Sequence, residues 1–194
     1  GTGPTLLIAH GLYGSARNWG VIAKRLSDTR HVVIVDMRNH GDSPRFDTHS
    51  YPEMASDLAE VIEHIGAPVD VLGHSMGGKA SMALALTRPE LVRSLISGDI
   101  APVSYAHSQG HFLDAMRAVD LSTVSRRSDA SAQLEAQGVS AELQSFFTQS
   151  LDISTKTWKL NFDALADDMD KILSFPTLSG SYDGPTLFLS GAES

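Results

Sequence analysis

The chain contains no cysteine among its 194 residues. That excludes disulfides, thiolate zinc sites and a cysteine nucleophile, and suits a reducing cytoplasm. No apolar run approaches the ~20 residues needed to span a bilayer, and no secretory leader pattern is visible. Basic residues are the minority: 15 Lys and Arg stand against 23 Asp and Glu, for a formal net charge of −8. With acids and bases interspersed, this reads as a solubilising surface rather than one for nucleic acid or an anionic membrane. There is no internal repeat and no low-complexity tract. What remains is ordinary for a globular protein, with 42% hydrophobic and 20% charged residues. The length fits one domain with room for an insertion and a substantial core.

Strand and helix patterns alternate through the first half. Thr5-Leu6-Leu7-Ile8-Ala9 is a continuous apolar run, as expected of a strand covered on both faces. A helix is predicted from about Ala16 to Leu26, a strand over His31 to Asp36, and a helix from Tyr51 to Ile65. Met54, Leu58, Val61, Ile62 and Ile65 form its apolar stripe, with Pro52 suited to its first turn. Val69-Asp70-Val71-Leu72 reads as a strand, Lys79 to Leu86 as a helix ending near Pro89, and Val92 to Ser97 as another strand. The rhythm predicts an α/β fold with a mostly parallel sheet. After Ile100 it stops. From Val103 to Gly180 the sequence is polar and helix-like with no convincing buried strand, and Pro185 to Ser190 then resumes a strand. About 80 residues between two strands is far more than an ordinary connection. The expected organisation is a core over residues 1–102, a helical cap or lid over 103–180 and a return strand over 181–194.

The chemistry concentrates at Gly73-His74-Ser75-Met76-Gly77, a G-x-S-x-G pentapeptide between a predicted strand and a predicted helix. A nucleophile elbow needs that context, because its serine sits on a sharp, strained turn at the carboxyl end of a strand. Ser75 is therefore the expected nucleophile. Met76 N–H, at the start of the helix, is the first expected oxyanion donor. The second should come from the turn after the first strand, His10-Gly11-Leu12-Tyr13-Gly14-Ser15, with Leu12 N–H the choice. Tyr13 and His74 are assigned to the substrate pocket. His10 reads as structural, and Asp36 and Arg38 as a local pair shaping the loop Asp36 to Pro44. His10, His40 and His74 lack a carboxylate at metal-binding spacing, so no metal is expected, and no cofactor.

These residues resemble the α/β-hydrolase superfamily, whose motif order is matched by His10-Gly11, Asp36-Met37-Arg38-Asn39-His40-Gly41 and Gly73-His74-Ser75-Met76-Gly77-Gly78-Lys79. The wording is closer to small bacterial carboxylesterases and thioesterases related to a mitochondrial α/β-hydrolase-domain protein. Asp99-Ile100-Ala101-Pro102-Val103 and Trp158-Lys159-Leu160-Asn161-Phe162-Asp163 also match that pattern, and the likeness spans nearly all of residues 4–194. The resemblance implies a serine hydrolase of small-molecule esters or thioesters. It implies an acid at Asp99, where the subgroup places it; Glu193 and a residue beyond Ser194 are the alternatives. It also implies a catalytic histidine several dozen residues past the last acid position, hence beyond Ser194. His107 and His111 follow Asp99 but lie at the start of the cap. On this reading the chain is truncated at both ends and lacks the catalytic histidine. The competing expectations are a cofactor-free haloperoxidase or carbon–carbon hydrolase on the same fold, and a non-catalytic fragment. A dehalogenase is disfavoured, because its nucleophile would be an aspartate where Ser75 stands.

Overall fold

The computed structural model describes residues 1–106 and 109–192. Five parallel strands form the sheet: β1 (Thr5–Ala9), β2 (His31–Val35), β3 (Val69–His74), β4 (Val92–Gly98) and β7 (Thr186–Leu189), in the order β2-β1-β3-β4-β7. Two further strands, β5 (Leu151–Asp152) and β6 (Thr157–Trp158), pair with each other antiparallel inside the segment read as strand-free. They are two residues each, too short for alternation to register. Sheet position explains burial. Leu6 to Ala9 of β1, flanked by β2 and β3, are buried, whereas β2 has one neighbouring strand and stays half-covered.

Helices fill the connections. A 3₁₀ turn over Ala16–Trp19 leads into α1 (Gly20–Leu26). Helix α2 (Tyr51–Ile65) opens with a capping box between Ser50 and Glu53, which satisfies two otherwise orphaned amides. Its buried face carries Met54, Leu58 and Ile62. Burial of three such side chains is worth roughly 1.5–3 kcal/mol each before chain entropy is charged against it. Helix α3 (Met76–Thr87) starts three residues earlier than its apolar pattern suggests, immediately after Ser75, and is buried almost all round. Between β4 and β7 lie α4 (Gly110–Arg117), α5 (Arg127–Ala136), α6 (Ala141–Phe147), α7 (Phe162–Asp167) and α8 (Met169–Leu173).

One local pairing differs from expectation. Asp36 does not pair with Arg38. Its carboxylate accepts from Ala16 N–H at 2.7 Å and Asp42 N–H at 2.9 Å, so it braces the two loops that follow β1 and β2. Arg38 reaches α2 instead, with a two-point contact to Asp57 at 2.6 and 2.9 Å and Glu53 at 3.2 Å. A planar guanidinium is matched by a carboxylate that can face it edge-on, and Asp57 on the helix does so.

Candidate active site

Ser75 sits between β3 and α3 with φ 51° and ψ −118°, a left-handed backbone that a non-glycine residue adopts at a cost of about 1–3 kcal/mol. Its N–H donates to Gly98 O at 2.9 Å and its carbonyl accepts from Lys79 N–H at 3.1 Å, so both sides of the turn are tied down. The tightness has a steric requirement. A methyl group at Gly77 would lie 2.3 Å from the Ala9 carbonyl oxygen and 2.5 Å from that of His10. The helix therefore begins where the β1 loop passes against it. Ser75 is half-buried at the carboxyl end of the parallel sheet.

The β1 loop presses on the serine from the other side. A methyl at Gly11 would lie 3.2 Å from Ser75 Cβ and 3.0 Å from His74 Nδ1. Leu12 follows, and then Tyr13 at φ 63°. Neither Leu12 N–H nor Met76 N–H has an acceptor among the described residues. The loop owes its shape to buried histidines. Met37 N–H donates to His10 Nε2 at 2.9 Å, so His10 carries its proton on Nδ1 and donates to Gly11 O at 2.8 Å. Tyr13 N–H donates to His40 Nε2 at 3.2 Å, and His40 Nδ1–H donates to Arg38 O at 2.9 Å. His49 packs on His40 with ring centroids 5.4 Å apart. Burial is the main cause that holds all three imidazoles below their usual pKa, His40 well below it and His49 down to about 4. At neutral pH they are uncharged, so His10 and His40 accept from backbone N–H groups, while the His49 ring meets the Asn39 amide and Met76 Sδ. His10 is thus structural, as the sequence suggests. The scaffold role of His40 went unread, because its partner lies 27 residues away.

Asp99 follows β4 at φ 56°. Its N–H donates to Leu189 O at 2.6 Å, and its carboxylate accepts from Gly191 N–H at 3.4 Å. Ser75, Asp99, His74, Leu12, Tyr13 and Met76 all border one cavity of about 790 Å³. Burial lowers the pKa of His74, with the nearby Asp99 charge acting in the opposite direction. The far wall comes from the insertion: Phe112 of α4, Leu143 and Phe146 of α6, and Phe147, whose ring meets Tyr13 edge-on at 5.6 Å. Sequence reading missed these aromatics, since nothing local marks which face of a short helix meets a distant loop. It also missed Lys79, although a single charge inside the apolar run Met76–Thr87 was a visible signal. His107 and Glu193 lie outside the described residues. His111 stacks on Phe112 at 3.9 Å and does not border the cavity. Among the described residues no cluster of three or more His, Asp or Glu could hold a metal, and no helix is long and apolar enough to cross a membrane.

Comparison with known proteins agrees with this fold. The family model described as alpha/beta hydrolase fold matches residues 4–168. The sn-1-specific diacylglycerol lipase ABHD11 of Mus musculus is 39% identical over 202 residues, covering 98% of this chain and 66% of the relative. Esterase YbfF of Escherichia coli is 35% identical over 198 residues, covering 97% of this chain and 74% of that protein. A solved structure of a marine microorganism esterase superposes with a TM-score of 0.92 at 35% identity, over 99% of this chain and 78% of that one. The chain thus spans just under two thirds of the length of the mouse relative. The chain belongs to the α/β-hydrolase fold family.

Proposed function

We propose that this chain forms the core of a serine hydrolase that cleaves carboxylic esters or thioesters through an acyl-enzyme on Ser75. The observation that carries the reading is Ser75 itself, held at φ 51° on a strand–helix turn with two unengaged amides, Leu12 and Met76, bordering the same cavity. Ser75 Oγ attacks the acyl carbon while a histidine base removes its proton. The carbonyl oxygen becomes an oxyanion, and the N–H groups of Leu12 and Met76 donate to it. Collapse breaks the bond to the alcohol or thiol, which leaves with the proton from the imidazolium. Water then repeats the sequence and releases the acid. Asp99 orients the imidazole and stabilises its charge. Among the described histidines, His10, His40 and His49 are already committed to backbone or core contacts, and His111 does not line the cavity, so the base is none of these four.

The insertion acts as a lid whose aromatic wall takes the acyl group, and Tyr13 and His74 line the pocket beside the scissile bond. This fits relatives named as a lipase and an esterase. The absence of cysteine supports a cytoplasmic setting. The test is hydrolysis of p-nitrophenyl butyrate by the full-length protein and its Ser75→Ala variant. Turnover that vanishes with Ser75 supports the reading, and an unchanged rate overturns it.

A further inference from the structure

Lys79 occupies an unusual place. Its side chain is 1% exposed, on the first full turn of α3, yet it borders the cavity that holds Ser75. Its ammonium donates to Leu173 O at 2.9 Å and Ser174 O at 2.7 Å, the carbonyls that end α8. The ring centroids of Tyr105 and Tyr51 lie 4.8 and 5.7 Å away. An ammonium has three donors, and no third acceptor or ion-paired carboxylate meets this one among the described residues. Burial alone pulls its pKa down to about 8, with no neighbouring carboxylate countering it. A buried cation without a counter-charge is costly, and such groups are ordinarily paired. Among the described residues that line the cavity, Lys79 is the one cation.

The geometry points to a substrate that brings the missing charge. We propose that Lys79 determines specificity by binding an anionic group at the far end of the acyl chain, so that the preferred substrates are esters or thioesters of dicarboxylic acids. Ser75 and Lys79 are four residues apart, about 6 Å along the helix axis. Helical side chains lean towards the amino terminus, which brings the Lys79 stem back towards the elbow. A diacid chain of about six carbons is of the order of that rise. Its terminal carboxylate would accept the third ammonium hydrogen while the methylene groups pack against the apolar lining. The neighbouring carbonyls and tyrosine rings hold the ammonium in place beforehand, which lowers the cost of ordering it on binding.

The inference rests on the hydrolase reading, and the experiment separates the two. In the full-length protein, kcat/KM is measured for mono-p-nitrophenyl adipate and for p-nitrophenyl hexanoate, which differ in the terminal carboxylate. The wild type is expected to favour the adipate ester by about tenfold or more, the scale of a buried charge pair. Lys79→Met should reduce that ratio by about the same factor, and Lys79→Arg should retain more of it than Lys79→Met does. Using the ratio cancels any general loss caused by loosening α8. If Lys79→Met does not fold, the wild-type ratio still decides, together with protection of Ser75 from a fluorophosphonate by free adipate but not by hexanoate. A wild type that labels at Ser75 but shows no adipate preference overturns this inference alone. So does an equal loss on both esters in Lys79→Met, which would make Lys79 a strut. Failure of Ser75 to label overturns the hydrolase reading as well.

Discussion

The sheet core and the insertion between β4 and β7 are held in place differently. In the core, Ser75 is fixed by contacts that begin with backbone: Gly98 O and Lys79 N–H on the turn, and the Ala9 and His10 carbonyls against Gly77. The insertion is held by backbone at one seam, where Gly41 N–H donates to Lys159 O at 2.8 Å and Asn161 N–H to Asn39 O at 2.9 Å, and elsewhere by side chains. Ser150 Oγ donates to Tyr13 O at 3.0 Å, Tyr13 OH donates to Gln109 O at 2.9 Å, Tyr51 OH donates to Ile172 O at 2.6 Å, and Lys79 reaches Leu173 and Ser174. Tyr13 touches both regions, with its N–H on His40 and its carbonyl and hydroxyl on the insertion. The difference teaches that the proposed reacting centre is shaped by the backbone of the sheet edge, while the far pocket wall is brought to it by side chains packed across the insertion. Substitutions at Ser75 and Asp99 should change rate, and substitutions in the aromatic wall or at Lys79 should change which acyl group is accepted.

The largest effect should come from Ser75→Ala, a loss in kcat of about 10⁶ with the thermal midpoint close to that of the parent. A residual rate within tenfold of wild type would mean that the core does not carry the chemistry. Asp99→Asn should cost about 10⁴ in kcat while the protein stays folded, because the imidazole loses its tautomer lock. Full activity in that variant would move the acid elsewhere, and a carboxylate after Ser190 would be tested next.

Much of this division could be read from the chain before any coordinates. The strands are legible because buried parallel strands read as apolar runs, as Leu6 to Ala9 do, and the elbow because its glycines and its strand–helix setting are local. What could not be read depends on long-range partners. Arg38 has Asp36 two residues away but pairs with Asp57 across the α2 face. His40 reveals nothing in sequence of its bond to Tyr13 N–H. The short strands β5 and β6 and the aromatic wall depend on where the insertion folds back, which no local periodicity encodes.

His40 gives a smaller and more specific test. His40→Phe keeps a flat ring but leaves Tyr13 N–H without its acceptor, so Leu12 loses its placement. The expected result is a fall in kcat of about ten- to a hundredfold, short of removing an oxyanion donor outright, with KM changing less than kcat. A change confined to KM would put the effect in the pocket wall rather than in the oxyanion loop.

The same histidines predict how the core responds to acid. In the folded state His10, His40 and His49 have lowered pKa values, His49 at about 4. Between pH 6.5 and about 4 the unfolded chain therefore binds protons that the folded chain does not. Their contribution is fully present above pH 6.5 and lost as pH falls towards 4, with His49 alone worth up to ~3 kcal/mol. Denaturant melts at pH 7.5, 6 and 4.5 check this, and a flat profile would contradict buried neutral imidazoles. The smallest effect belongs to the insertion surface. Arg117 meets Asp163 at 2.7 Å, but the Asp163 side chain is 92% exposed. Asp163→Asn should shift stability by less than ~0.5 kcal/mol, and a larger shift would show that this exposed pair does more for the insertion than surface ion pairs ordinarily do.

The most direct test of the central claim is to treat the full-length protein with a fluorophosphonate and map the adduct by peptide mass spectrometry. An activated serine on the elbow predicts one modified residue, Ser75, with labelling lost in Ser75→Ala and slowed in Asp99→Asn. A folded protein that takes up no label, or that carries it on a serine away from the cavity, would contradict the account.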